Sequence, residues 1–185
     1  MRIISGKARG TKLFTLDGLN TRPTLDRVKE SLFNIMNFKL QDSIVLDLFA
    51  GSGALGLEAI SRGAKQAIFS ENNREAQNII EKNIDKTKFK EQTLLIKKDY
   101  KDALLIIEDK KIKCDVVFID PPYKTDLIKK SLEEILSRSI LNEDAIIVLE
   151  TDEPERIEQE IADLNFEIID NRKYGRVNLF FLKQN

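Results

Sequence analysis

From Ser43 onward, short runs of consecutive apolar residues alternate with longer stretches in which apolar residues recur every three or four positions. This alternation constrains the fold more than any other feature. A strand that is apolar at every position must be covered on both faces, and an amphipathic helix offers one stripe to cover it. The spacing predicts strands at Ile44–Leu46, Ala67–Phe69, Thr93–Ile96, Val116–Ile119 and Ala145–Leu149. Between and after them it predicts helices at Ala54–Ser61, Arg74–Lys86, Tyr100–Glu108, Asp126–Ser137 and Glu155–Leu164, the second with Ala76, Ile79, Ile80 and Ile84 inward. Two last strands, Phe166–Ile169 and Arg176–Leu182, read as a hairpin turned at Tyr174-Gly175. The fold class is therefore α/β: a doubly wound, mostly parallel, seven-stranded sheet ending in an antiparallel hairpin.

The first forty residues read differently. Arg2–Ser5 and Thr11–Leu16 suggest a small β-hairpin with Gly6 and Gly10 bracketing its link, so residues 1–20 form an extension ahead of a main domain at 21–185. Proline disfavours helix for the residue before it, and Thr24 is a good N-cap. A helix is thus expected from about Leu25, with Val28, Leu32, Ile35 and Met36 on one stripe. Residues 1–40 hold eight basic side chains (Arg2, Lys7, Arg9, Lys12, Arg22, Arg27, Lys29, Lys39) against Asp17, Asp26 and Glu30, a net +5 within a chain of net charge −1. A basic end on an acidic body suits an anionic partner met at one face; an ordinary solvated surface is the alternative.

Absences narrow the chemistry. With no histidine and one cysteine, Cys114, the chain lacks Ser-His-Asp and Cys-His machinery, a disulfide framework and the usual zinc ligand sets. Catalysis must rest on carboxylates, lysine, tyrosine, backbone groups or a cofactor, and no metal is expected. There is no apolar run of the roughly 18 residues that a membrane span needs, and no signal-peptide pattern, so a cytoplasmic protein is expected.

Two motifs follow strands. Leu46-Asp47-Leu48-Phe49-Ala50-Gly51-Ser52-Gly53-Ala54-Leu55-Gly56 places Gly51, Gly53 and Gly56 in a G-x-G-x-x-G pattern between strand and helix. Glu71 stands twenty residues after Gly51, at the end of the next strand. Glycines there let the backbone approach a ligand, and the acid can accept from ribose hydroxyls. The pattern alone would equally suit a dinucleotide dehydrogenase. Asp47, however, gives no advantage to a pyrophosphate site and suits a cationic or amine-bearing ligand. The stretch from Asp47 to Gly53 also resembles the D-x-F-x-G-x-G signature of class I methyltransferases. Asp99, after the third strand, stands where that class places an acid or amide against adenine; helix capping is the competing role.

The second motif is Asp120-Pro121-Pro122-Tyr123, after the fourth strand. In a doubly wound sheet the first and fourth strands flank the switch point, so both loops converge on one crevice. An aromatic amino group is a poor nucleophile because its lone pair is delocalised into the ring. The Asp120 carboxylate and a proline carbonyl can hold both amino hydrogens, which favours a pyramidal nitrogen aimed at a methyl donor. Tyr123 can stack on an extruded base. A rigid turn without chemistry is the plain alternative.

The chain resembles the RsmD-like family of bacterial small-subunit (16S) ribosomal RNA guanine-N2 methyltransferases. Three blocks carry the likeness: Arg2-Ile3-Ile4-Ser5-Gly6 with Arg9-Gly10 and Lys12-Leu13; Arg22-Pro23-Thr24 with Asp26-Arg27-Val28, Glu30 and Leu32-Phe33-Asn34; and Phe49 through Ala59 with Asp120 to Tyr123 downstream. The resemblance implies S-adenosylmethionine held by Asp47, Phe49, Ala50, Gly51, Ser52, Gly53, Glu71, Asn72, Asp99 and Tyr100. It implies a target base at Asp120, Pro121, Pro122 and Tyr123. It further implies RNA contacts at Lys7, Arg9, Lys12, Arg22 and Arg27, and a monomer acting on the assembling or assembled small subunit.

Three other readings remain open on the sequence. A DNA amino-methyltransferase shares the Asp-Pro-Pro-Tyr logic but would usually carry a target-recognition insertion. A nicotinamide-dependent oxidoreductase is disfavoured by Asp47 and the Asp-Pro-Pro-Tyr turn. A non-catalytic RNA-binding or assembly factor could retain the same fold. Glu150, at the end of the fifth strand, receives no role.

Overall fold

The computed structural model describes residues 1–16, 23–122 and 125–185, with residues 23–25 described by their backbone alone. Helices α1 (Pro23–Ile35) and α2 (Asn37–Leu40) precede an alternating unit: β1 (Ile44–Asp47), α3 (Ala54–Ser61), β2 (Gln66–Ser70), α4 (Arg74–Thr87), β3 (Thr93–Ile96), α5 (Tyr100–Asp109), β4 (Cys114–Ile119), α6 (Leu127–Leu136), β5 (Leu141–Thr151), α7 (Pro154–Ala162), β6 (Phe166–Tyr174) and β7 (Val177–Gln184).

The strand order is β3-β2-β1-β4-β5-β7-β6. Strands β1 to β5 pair in parallel, β7 runs antiparallel between β5 and β6, and Gly175 (φ 65) turns the last hairpin. The winding reverses between β1 and β4, where loops part to opposite faces and leave a crevice. Alternate side chains of each strand feed the two faces. Leu46, Ile68, Val117 and Ile147 meet α5, α6 and α7, while Val45, Val116, Phe118 and Ile146 meet α1 and α2. Phe33 and Phe118 stack at 5.6 Å in the second layer. Uniformly apolar strands are explained by this double coverage.

The amino-terminal hairpin is a short antiparallel pairing at Arg2 and Lys12, closed by Ile3 donating to the Thr11 carbonyl, Gly10 to that of Ile3 and Leu13 to that of Met1. Other backbone groups of the same segment bond α3. Ile4 and Ser5 donate to the Glu58 carboxylate at 2.7 and 3.0 Å, Lys7 donates to the Ser61 carbonyl at 2.8 Å, and Ala8 donates to Ser61 Oγ at 2.9 Å. Ile3 and Leu13 sink into the cluster around Leu57, Ile60 and Phe69. Gly6 lies so close to α3 that a Cβ would stand 1.8 Å from the Ser61 carbonyl oxygen.

Several boundaries differ from expectation; strand β6, for one, runs on to Tyr174 rather than ending at Ile169. Helix α1 begins at Pro23 rather than after Thr24, because proline at the first helical position forfeits no intrahelical hydrogen bond. Strand β5 begins at Leu141 rather than Ala145, its charged start paired through Cys114 and Leu141 beside a register shift.

Candidate active site

The crevice holds a cavity of about 860 Å³. Its floor is the β1–α3 loop, which the ends of both neighbouring strands fix: Leu48 donates to the Phe118 carbonyl and Ala50 to the Ser70 carbonyl, each at 3.0 Å. Glu71 braces the loop from β2. Its two carboxylate oxygens accept from the amides of Gly51 at 2.8 Å and Asn73 at 2.7 Å, and Gln77 donates to its carbonyl. Each carboxylate oxygen keeps a second lone pair for a ligand hydroxyl.

Asp47 closes β1 with 2% of its surface exposed, and its carboxylate accepts from the Gly56 amide at 3.2 Å. Burial pushes its pKa up to about 7, with the Gly56 hydrogen bond opposing and the Glu71 charge adding. Asp120, at the end of β4, lines the same cavity. Burial holds its carboxyl well above the ordinary range, with Glu150 and then Asp47 adding repulsion. A positive charge placed beside these buried carboxyls would favour their ionised form.

Phe49 and Tyr100 form one wall, their rings 5.8 Å apart and tilted by 36°. Beside them, Asp99 caps α5 by accepting from the Asp102 amide at 3.0 Å and also borders the cavity. The capping reading of Asp99 thus holds together with its placement in the crevice. Met1, Thr15, Val28, Lys29 and Leu32 also line the cavity.

Nine of the ten residues assigned to the cofactor line this cavity: Asp47, Phe49, Ala50, Gly51, Ser52, Glu71, Asn72, Asp99 and Tyr100. Gly53 is set one layer back at the start of α3, against Phe69 and Ile80. Behind it Gly56 packs so closely on Phe69 that a Cβ would stand 2.3 Å from the ring. Asp120, Pro121 and Pro122 enter from the other side of the switch point, while Tyr123 lies outside the described residues. Lys7, Arg9, Lys12 and Arg27 are exposed, and none forms an ion pair among the described residues; Arg22 lies outside them.

The sequence reading passed over a buried polar frame behind the site. Glu58 is fully buried and is met by Lys29 Nζ at 3.3 Å, Arg62 Nε at 2.8 Å and the amides of Ile4 and Ser5. Burial lowers the Lys29 pKa, and Glu58 opposes that shift. Asn83, also fully buried, accepts from the Phe14 amide at 2.8 Å and donates to the carbonyls of Phe14 at 3.0 Å and Ser52 at 2.9 Å. A signal existed: Glu58 sits on the stripe of Ala54, Leu57 and Ser61, and Asn83 on that of Ala76, Ile80 and Thr87. Polar residues on a core-facing stripe mark buried hubs.

Comparison with known proteins agrees with this fold. The family model described as Conserved hypothetical protein 95 matches residues 1–183. Ribosomal RNA small subunit methyltransferase D of Haemophilus influenzae is 36% identical over 96% of this chain and 91% of its own length. The protein of the same name from Escherichia coli K12 is 36% identical over 82% of this chain and 75% of its own. Among solved structures, the Escherichia coli candidate methyltransferase yhhF superposes with a TM-score of 0.81 at 29% identity, over 100% of this chain and 98% of its own. The chain belongs to this family, the RsmD family of methyltransferases.

Proposed function

We propose that this protein transfers a methyl group from S-adenosylmethionine to the exocyclic N2 amino group of a guanine in small-subunit (16S) ribosomal RNA. It acts in the cytoplasm as a monomer on the assembling or assembled subunit. The observation that carries the reading is the meeting of Asp120-Pro121-Pro122 with Asp47, Glu71 and the glycine loop around one cavity.

The residues present suit the cofactor. Glu71 offers lone pairs to ribose hydroxyls, Asp99 an acceptor to an adenine amino group, and Phe49 with Tyr100 an aromatic wall for a purine. Asp47 supplies the counter-charge for a cation. S-adenosylmethionine, when bound, supplies an electrophilic methyl on a sulfonium.

The chain's own residues prepare the nucleophile. A proline carbonyl of the turn is the second acceptor beside Asp120; that of Pro122 accepts from Thr125 Oγ1 at 2.9 Å and keeps a second lone pair. Held by those two oxygens, an amino group turns its lone pair away from the ring plane. Positive charge growing on nitrogen lies beside the Asp120 carboxylate, which stabilises it where water is excluded. An amino nitrogen that took a methyl group, the sulfonium keeping the electron pair of the broken sulfur–carbon bond, would have to lose a proton. An Asp120 carboxylate whose pKa is raised is a competent receiver for it.

Deleting the gene should remove one N2-methylguanosine from digests of small-subunit ribosomal RNA, and purified protein with S-adenosylmethionine should restore it. An unchanged nucleoside profile in the deletion strain would reject the assignment.

A further inference from the structure

Phe14, next in the chain to the cavity-lining Thr15, has 47% of its surface in solvent. The exposure is not that of a loose chain. The Phe14 amide and carbonyl are both held by the buried side chain of Asn83, whose nitrogen also holds the Ser52 carbonyl of the glycine loop. Leu13 before it is buried and Thr15 after it lines the cavity, so the ring is fixed between the core and the site. An apolar ring held in water at a rigid backbone position is set up to be covered by something.

Its neighbours define what covers it. Lys86, one turn along α4 from Asn83, places Nζ 4.4 Å from the ring centroid. The sequence Lys12-Leu13-Phe14 alternates exposed, buried, exposed, so Lys12 emerges on the same side as the ring, about 7 Å away along an extended chain. Lys12 and Lys86 form no ion pair among the described residues. An exposed aromatic ring with one face against the Lys86 ammonium and a second cation nearby fits an anionic strand with free bases. An apolar protein surface would have to desolvate both ammonium groups.

We propose that Phe14, Lys12 and Lys86 form a stacking site for one unpaired nucleotide of the RNA substrate. The base covers the face of the Phe14 ring opposite Lys86 while its flanking phosphates meet the two lysines. Because Thr15 borders the cavity and Asn83 ties Phe14 to Ser52, the stacked nucleotide lies beside the cavity. This rests on the RNA-methyltransferase reading.

The chain contains no tryptophan, so Phe14→Trp installs a sole indole reporter that can still stack. With a short single-stranded oligoribonucleotide of mixed sequence as the probe, this variant should bind as the parent does, and its emission should be quenched on binding. Phe14→Leu keeps apolar bulk but offers no ring face, and should weaken binding roughly tenfold, as loss of one base–aromatic stack does. Lys86→Ala should flatten the salt dependence of binding by about 0.7 in logarithmic slope. S-adenosylmethionine affinity, read by calorimetry, should stay at the parent value in all three variants. Unquenched indole emission from the Phe14→Trp variant at saturating RNA, or Phe14→Leu binding within about twofold of the parent, overturns the stacking site. If the parent still methylates ribosomal RNA in that case, the functional reading stands and the stacking site alone falls. A parent that neither binds nor methylates RNA overturns both.

Discussion

Two buried carboxylates on either side of the β1–α3 turn have opposite surroundings. Glu58 is met by two cationic side chains and two backbone amides. Asp47 is met by the Gly56 amide, and its pKa rises to about 7. The first is a saturated joint that fastens the amino-terminal segment and α1 to α3. The second is left short of donors at the wall of the cavity, where a cationic ligand can complete it. The contrast separates a charge kept for architecture from one kept for binding.

The largest effect should come from breaking the saturated joint. Glu58→Ala leaves Lys29 and Arg62 buried without their carboxylate and orphans two amides. Removing one partner of such a set costs ~3–5 kcal/mol. For a domain of this size the melting temperature should fall on the order of 10 °C. Glu58→Gln keeps an oxygen acceptor and should lose less. Thermal unfolding of the two variants reads the difference, and a Glu58→Ala protein as stable as the parent would remove the joint from the account.

A smaller effect of opposite sign should come from Asp47→Asn. Asp47 holds its proton more tightly when folded, so its contribution favours the folded state at low pH. That contribution is lost as pH rises from the ordinary value of 3.8 through about 7. Asn has no proton to lose and keeps the oxygen facing Gly56. The ligand-free variant should therefore gain on the parent between these pH values, by at least about 1 kcal/mol at pH 8. The same change removes the counter-charge from the site, so S-adenosylmethionine affinity should fall about tenfold, near 1.4 kcal/mol. In the parent, cofactor affinity should drop as pH falls below 7. Equal parent affinity at pH 6 and pH 8 would show that Asp47 does not titrate against the ligand.

The same contrast explains what could be read from the sequence. Strands buried on both faces and helices with one apolar stripe announce themselves by period, so β3 fell at Thr93–Ile96 and α3 at Ala54–Ser61 as expected. The glycine loop and Asp120-Pro121-Pro122 were legible because strand-end loops at a switch point must converge. Elements held by irregular tertiary bonds were not legible. The amino-terminal hairpin docks on Glu58 and Ser61, which are remote in sequence. The early start of β5 depends on pairing with Cys114, and the short helix α2 is four residues long, too short for a period to show. Glu150 lines the cavity at the end of β5 and raises the pKa of Asp120, a role set by strand order alone.

The central claim is that Asp120 holds and activates an amino nitrogen of RNA. Single-turnover methyl transfer with cofactor and ribosomal RNA both saturating isolates that step from binding. Asp120→Ala should fold, bind S-adenosylmethionine within about twofold of the parent and transfer methyl ~10²–10³ times more slowly, a loss of about 3–4 kcal/mol of transition-state stabilisation. Asp120→Asn, which keeps an acceptor oxygen, should fall between the two. Transfer by Asp120→Ala at the parent rate would contradict the account.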